Sequence, residues 1–274
     1  MQFFNIEVKM SIDEKCCCCK EPIGTIPIGR IIDKLDILFG HNQMEEAGEV
    51  LRYWENEARA LYDSKGLLEI LSEEIGYYRK VGDKARGLHA VDEALTMLEC
   101  MDIEGSVNNA TIVLNCGTTM KAFGKAQEAI SLYERAKEVY ERLLPKDDFR
   151  LAGLYNNYAT ALKDLERYDE ARENFLKAIA ILEAKEDVYG EVAVSYVNLA
   201  HLEFDAAYAK GEVADDKVDE CLKKAWECLD SKDIKRDGNY AFICEKCAPA
   251  YEFFGWFIEK AELEKRAQDI YNAK

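Results

Sequence analysis

A small residue recurs along this chain at a nearly constant interval, and this spacing restricts the fold more than any other feature. The members of the series are Ala47, Gly87, Ala129, Ala171, Cys221 and Ala261. Each interval is about 42 residues, except for a longer one between Ala171 and Cys221. Such a period is typical of stacked helical hairpins, because each repeat must bury its apolar face against its neighbours. The series therefore predicts an array of such hairpins, with small side chains where the helices approach closely.

Apolar residues follow a helical period almost without interruption from Ile28 onward. Glycines stand at several of the expected turns, among them Gly82, Gly124 and Gly255. We predict an all-α fold, a right-handed α-solenoid of about six antiparallel helix hairpins, over residues 28–274. The predicted helices span 30–39 and 43–63, 65–80 and 83–101, 105–123 and 125–143, 148–166 and 168–185, 188–210 and 215–230, and 237–254 and 256–273.

The fifth hairpin is longer than the others. Its excess lies in the stretch AYAKGEVADD, residues 207–216, between the two helices of the hairpin. The sequence leaves two alternatives open, an extended helix or a protruding loop. Insertions in repeat arrays commonly map to one face of the array, where they can serve binding.

Residues 1–27 differ from the rest and are predicted to form an N-terminal extension. Phe4, Ile6, Val8 and Met10 alternate with polar residues, which is the period of a strand. The four consecutive cysteines Cys16 to Cys19 and several Pro and Gly residues follow. We expect a flexible or single-strand, Cys-rich segment. The four thiols are either an accident of composition or a site for soft metals, oxidation or acylation.

The charge and composition argue against several classes of partner. The formal net charge is −17, which disfavours nucleic acid and anionic membranes, since phosphate binding needs an excess of Lys and Arg. The sequence contains no run of eighteen apolar residues, so no transmembrane helix is predicted. The first residues do not resemble a secretory signal. Ten cysteines in 274 residues are too few for a disulfide scaffold. We therefore expect free thiols in a reducing, cytoplasmic compartment.

The hairpins resemble tetratricopeptide repeats, whose pattern is W-x₂-L-G-x₂-Y, then A-x₃-F, then Pro. The fourth hairpin places these residues in the pattern: Tyr155, Tyr158, Ala159, Leu162, Ala171, Phe175 and Ala178. The third has Val113, Cys116, Gly117 and Met120, followed by Ala129, Tyr133 and Ala136. The period is longer than the usual one of about 34 residues. In this it is similar to kinesin light chain repeats and to the long repeats of bacterial peptide-sensing regulators.

This resemblance implies a non-enzymatic scaffold that binds a protein or peptide in a groove lined by the first helix of each hairpin. Three polar series fall on these helices. They are Asn115, Asn157 and Asn198; Thr118, Thr160 and His201; and Arg79, Lys121 and Lys163. Asn side chains can pair with a peptide backbone, and basic groups can hold carboxylates, so we expect an acidic partner. The alternatives are that the Asn series makes helix–helix contacts and that the basic series is an exposed, solvated edge.

No pattern in the sequence predicts catalysis, a cofactor or a metal site. Phosphate-loop, dinucleotide-binding, zinc-protease and serine-hydrolase motifs are all absent from the sequence, so no enzyme is predicted. Cys244 and Cys247 have the spacing of a zinc ligand pair but lack further ligands nearby. They also fall in core slots of the sixth hairpin, and we interpret them as buried thiols.

Two further expectations concern partners. The aromatic run Tyr251, Phe253, Phe254, Trp256 and Phe257 is predicted to be the core of the last hairpin, and part of it is a candidate homodimer surface. The alternative function is a regulatory receptor for a small signalling peptide. The predicted extension, residues 1–27, is too short for a helix-turn-helix domain, so such a receptor would act through a separate partner protein.

Overall fold

The computed structural model describes residues 20–101 and 105–272. All regular structure in these residues is helical, as predicted, and each helix agrees with its predicted bounds to within a few residues. The helices are α1 (Ile28–Gly40), α2 (Met44–Ala60), α3 (Ser64–Val81), α4 (Lys84–Met101), α5 (Val107–Ala122), α6 (Ala126–Leu143), α7 (Phe149–Asp164), α8 (Tyr168–Glu183), α9 (Tyr189–Lys210), α10 (Asp215–Leu229), α11 (Gly238–Phe253) and α12 (Phe257–Asn272). No helix in the described ranges is long and apolar enough to cross a membrane.

The helices divide into two compact units, residues 1–104 and residues 105–274. In the first unit, α3 and α4 form a closely packed hairpin, and α2 contacts α3. In the second unit, four hairpins follow one another, and each packs on the next, with α6 against α7 and α8 against α9. The first helices of these four hairpins also touch in order: α5 contacts α7, α7 contacts α9, and α9 contacts α11.

The series of small residues lies in the helix contacts, with one exception. Ala47, Ala129 and Ala171 are fully buried, and Gly87 and Cys221 are buried as well. The prediction was wrong for Ala261, which is exposed. On α12 the buried side chains are Leu263 and Ala267, which share one helical face at i and i+4. Ala261 precedes Leu263 by two residues and so points to the other side of the helix.

The hairpin turns explain where the helices end. Gly82, Gly124, Gly211 and Gly255 adopt left-handed backbone with φ of 77°, 82°, 70° and 82°. Glycine has no Cβ and reaches this region without strain. The turn between α7 and α8 has the same geometry at Glu166, whose φ is 60°.

The extra length of the fifth hairpin belongs to a helix, which decides between the two alternatives. Helix α9 has 22 residues and continues to Lys210, where Gly211 ends it. Tyr208, in its last turns, is 78% exposed. Arg172 on α8 holds the middle of α9, because its Nη2 donates to Glu203 Oε2 at 3.1 Å.

The end of the N-terminal extension packs on the turn between α2 and α3. The Ile26 amide donates to Asp63 Oδ2 at 2.8 Å, and the Gly66 amide donates to Asp63 Oδ1 at 3.0 Å. The Ile23 amide donates to the Leu61 carbonyl at 2.9 Å, and Ile26 is buried. The strand-like stretch and the four cysteines Cys16 to Cys19 lie outside the described residues.

Three carboxyl groups surround one arginine inside the first unit. Arg59 pairs with Glu93 at 2.6 Å and with Glu55 at 2.7 Å. Glu74 on α3 is buried beside them, and within the described part of the chain its Oε1 has no hydrogen-bond partner. Burial, with Glu55 and Glu93 adding to it and Arg59 opposing it, raises the pKa of Glu74 to about 8. The Glu74 carboxyl group is therefore protonated at neutral pH.

Candidate functional site

A cavity opens on the face that the first helices of the second unit share. Its volume is about 390 Å³, and residues of α5, α7, α9 and α11 line it, together with Tyr140 of α6 and Leu182 of α8. The larger aliphatic and phenylalanine side chains of the lining are Leu114, Phe149, Leu182, Val194, Phe242 and Ile243. Phe149 and Phe242 are 63% and 53% exposed. Large aromatic side chains left exposed around a cavity are typical of a surface that binds a ligand or another protein.

Three amide side chains contribute to the polar lining of the same cavity. Asn157, predicted as a groove residue, lines it together with its neighbour Asn156 and with Asn239 from α11. Asn198 Nδ2 donates to Asn156 Oδ1 at 3.3 Å, so one amide pair links α7 to α9. Each Asn side chain offers both donors and an acceptor, which is what an extended peptide backbone requires.

A second cavity of about 290 Å³ adjoins the first between α9 and α11. The predicted residues Asn198 and His201 line it, with Pro249 and Phe253 opposite. Proline lacks a backbone N–H, so Pro249 interrupts the hydrogen-bond ladder of α11 beside this cavity. The two cavities share lining residues on both helices, namely Val194 on α9 and Lys246 on α11. The two cavities therefore adjoin along these helices, and together they are called the groove.

His201 contributes an apolar, neutral ring to the second cavity. Its ring centroid lies 5.7 Å from that of Phe253 and 5.0 Å from that of Phe254. Burial and then the nearby charge of Lys163 lower the pKa of His201, against the opposing effect of Asp205. The imidazole is thus neutral at physiological pH and packs as an aromatic side chain.

Two of the predicted basic groove residues already have carboxylate partners. Lys121 Nζ lies 3.3 Å from Asp164 on α7, and Lys163 Nζ lies 2.8 Å from Asp205 on α9. Each lysine therefore links its own helix to the next first helix. This arrangement compensates the positive charge that we expected to attract an acidic partner.

Comparison with known proteins identifies the repeat. Residues 110–149 and 151–185 match the family model of the tetratricopeptide repeat. This match identifies two tetratricopeptide repeats within residues 110–185. The matched segments cover the third and fourth hairpins, which carry the fullest pattern in the sequence. No curated protein sequence gives a significant match.

Several solved structures share the fold. BtubC (BKLC) from P. vanneervenii has a TM-score of 0.52 at 18% identity, with 91% of this chain and 92% of that chain covered. A putative kinesin light chain from Podosopora anserina, with nearly identical tetratricopeptide-like repeats, has a TM-score of 0.53 at 16% identity, with 74% and 94% covered. A Rap protein complexed with competence and sporulation factor has a TM-score of 0.52 at 14% identity, with 88% and 73% covered.

The remaining predicted groove residues lie outside both cavities. Thr118 Oγ1 donates to the Leu114 carbonyl at 2.9 Å, and Thr160 Oγ1 donates to the Asn157 carbonyl at 2.7 Å. These hydroxyl groups are therefore engaged within their own helices. Asn115 is half-buried on α5. Arg79 belongs to the first unit, where it is half-buried in the last turn of α3.

Sequence reasoning missed Phe149, Asn239, Phe242 and Lys246 as lining residues. A signal for Lys246 was present. Each Asn of the predicted series stands two residues before the small buried residue of its repeat, as Asn157 precedes Ala159. In the sixth hairpin Ala248 is that small residue, and Lys246 stands two before it. The degenerate pattern of this hairpin concealed the equivalence.

The thiols of the sixth hairpin are part of the repeat core. Cys244 and Cys247 are fully buried on α11. Burial raises the pKa of Cys247 to about 12 and raises that of Cys244 as well. Among the residues described, no group of three or more His, Cys, Asp or Glu side chains is arranged to hold a metal ion. This placement agrees with the interpretation of both as buried core thiols.

The C-terminal aromatic run divides between core and surface. Tyr251 is fully buried, and Phe254 packs on Phe204 with ring centroids 5.7 Å apart. Phe253 and Phe257 are 60% and 64% exposed. Phe253 faces the groove, whereas Phe257 lines a shallow apolar hollow between α10 and α12 with Trp226 and Ile258.

Proposed function

We propose that this protein is a non-enzymatic binding scaffold whose second unit holds an extended peptide, or an extended segment of a protein partner, in the groove of α7, α9 and α11. The observation that carries the proposal is the pair of adjoining cavities on the first helices. Apolar walls favour side-chain burial, at about 25 cal/mol per Å² of apolar area. The amide groups beside them satisfy a backbone that would otherwise lose its hydrogen bonds to water.

The comparisons add support of a limited kind. A Rap protein of similar fold is described in complex with competence and sporulation factor. That protein and this chain share a fold, and its complex is one example of a ligand held by this fold. Lys121 and Lys163 each form a salt bridge to the next first helix, so we assign them to contacts between helices. The ligand is then held chiefly by the amides and the apolar walls.

A cavity-filling substitution tests this function. Val194 lines both cavities, so Val194→Trp is expected to obstruct the groove. Val213→Trp is the matched control, because Val213 is 81% exposed after the end of α9. The full chain and both variants are applied to an array of random twelve-residue peptides, after circular dichroism has shown that all three fold alike.

The expected result is a set of bound peptides shared by the parent and Val213→Trp and lost by Val194→Trp. Binding that survives Val194→Trp would place the binding surface outside the groove. An array with no bound peptide for the parent would contradict peptide binding itself.

The second candidate function is a receptor for a small signalling peptide that acts through a separate partner protein in the cytoplasm. The similarity to the Rap complex favours it. The test is to isolate partners from a native lysate and then to add a peptide selected on the array. Release of a bound protein supports the receptor, whereas partners that stay bound support a scaffold.

A further inference from the structure

Lys246 is a cation that lines the groove. It is exposed and lies where the two cavities meet. Within the described residues no salt bridge involves it, in contrast to Lys121 and Lys163. Glu191 lines the first cavity on α9 without pairing with it, and the neighbouring Glu245 accepts instead from the Tyr271 hydroxyl at 3.0 Å.

The repeat geometry places Lys246 in the row of groove amides. Asn157 and Asn198 occupy the same position of their first helices, two residues before a fully buried alanine. Lys246 holds this position before Ala248, so the equivalent site carries an amide on α7 and α9 and an ammonium group on α11. An amide pairs with a neutral backbone, whereas an exposed ammonium group favours a carboxylate.

The spacing along α11 sets the distance between this charge and the apolar sites. Phe242 lies four residues before Lys246, and Phe253 lies seven residues after it. At 1.5 Å per residue these offsets correspond to about 6 Å and about 10 Å along the helix. An extended peptide advances about 3.3 Å per residue, so the offsets correspond to about two and about three of its residues.

We propose that the groove selects peptides with one acidic residue between two large apolar residues, about two positions from the first and three from the second. The carboxylate pairs with Lys246, and the apolar side chains enter the two cavities. This inference rests on the proposed peptide-binding function. The net charge of −17 disfavours an acidic segment over most of the surface, so its binding depends on the local ion pair with Lys246.

The test is a selection from a phage-displayed random twelve-residue library on the immobilised full chain. The parent is compared with Lys246→Glu and with Lys223→Glu, a matched charge reversal at an exposed lysine of α10. We expect the parent and Lys223→Glu to enrich peptides with an acidic residue between two apolar ones. Lys246→Glu is expected to enrich Lys or Arg at that position and to weaken binding of the acidic peptides by roughly tenfold or more.

Two results would overturn the inference, and only the second would also contradict the proposed peptide-binding function. Enriched peptides that lack the acidic residue, or that are the same for Lys246→Glu, would show that Lys246 does not select the ligand, while peptide binding itself remains. A parent that enriches no peptide would remove both the inference and the proposed function. Circular dichroism of the three proteins establishes that a loss of binding is not a loss of folding.

Discussion

At the scale of single residues, Glu166 occupies a strained backbone position. Its φ of 60° is close to the values of Gly82 and Gly124 at the equivalent turns. A residue with a Cβ atom in this region raises the free energy of the folded state by roughly 1–2 kcal/mol. Glycine avoids this strain, but it loses more backbone entropy on folding, which offsets part of the gain. We expect Glu166→Gly to raise the free energy of unfolding by about 0.5–1 kcal/mol, measured by urea denaturation.

Gly124→Ala is the matched control for this turn. An added Cβ at Gly124 would meet no atom within 4 Å, so its cost comes from the backbone alone. We expect Gly124→Ala to lower the free energy of unfolding by about 1 kcal/mol. An unchanged or lower stability of Glu166→Gly would show that the Glu166 side chain compensates for the strain.

Glu74 provides a pH-dependent prediction. Its pKa is raised to about 8 in the folded protein, so folding favours the protonated form. This contribution to stability is complete below the unfolded pKa of about 4.3 and is lost as the pH rises through the folded value. Glu74→Gln keeps the neutral shape, and we expect it to be more stable than the parent at pH 8.5 by at least about 1 kcal/mol. At pH 5 the difference should largely vanish.

Urea denaturation at these two pH values, followed by a probe in the first unit, measures the difference. Glu69→Gln is the control, because Glu69 lies on the same helix but is half-buried instead of buried. A Glu74→Gln variant with the same stability difference at both pH values would contradict a protonated Glu74.

Part of the residue-scale picture was readable from the sequence. The placement of Asn157 and Lys163 on a first helix followed from the repeat, but the partners of the lysines did not, because these partners lie on the next first helix. Asp164 and Asp205 recur at nearly the same interval as Lys121 and Lys163. This second series was the available signal for the salt bridges of the two lysines.

At the scale of helices, the interval of the small residues predicts where a hairpin tolerates no added volume. Ala171 is fully buried on α8, whereas Ala261 is exposed on α12. We expect Ala171→Phe to lower the free energy of unfolding by about 1–3 kcal/mol or more through overpacking. Ala261→Phe is the matched control and should change it by less than about 0.5 kcal/mol.

Thermal and urea denaturation of both variants measure this difference. An Ala171→Phe variant that melts with the parent would show that Ala171 is not at a close helix approach. A large decrease in the free energy of unfolding for Ala261→Phe would instead show that Ala261 lies at a close helix contact, as the series predicted.

Helix bounds were predictable because Gly at the turns and the apolar period agree with each other. The exposure of Ala261 was not predictable, because a constant interval between repeats does not indicate which face of α12 is buried. The long interval in the fifth hairpin had two physical solutions, and only the structure shows that the residues extend α9. Its Gly211 in left-handed conformation was the signal for a helix end at that point.

At the scale of the whole molecule, the proposed function depends on one face of the second unit. The repeat pattern predicts that first helices share a face, since this follows from hairpin stacking. It does not predict the cavities, because their walls include Phe149 and Phe242, which lie outside the repeat pattern. Cavities depend on how particular side chains fill the space between helices, and that information is not periodic.

The proposed function requires that peptides bind in the groove of α7, α9 and α11. The most direct measurement is photo-crosslinking of the full chain with an array-selected peptide that carries benzoylphenylalanine at each apolar position in turn, followed by mass spectrometry of the crosslinked residues. We expect crosslinks in the two cavities, at or beside Phe149, Val194, Phe242 and Phe253. Crosslinks concentrated instead on Trp226, Phe257 and Ile258, in the hollow between α10 and α12, would contradict it.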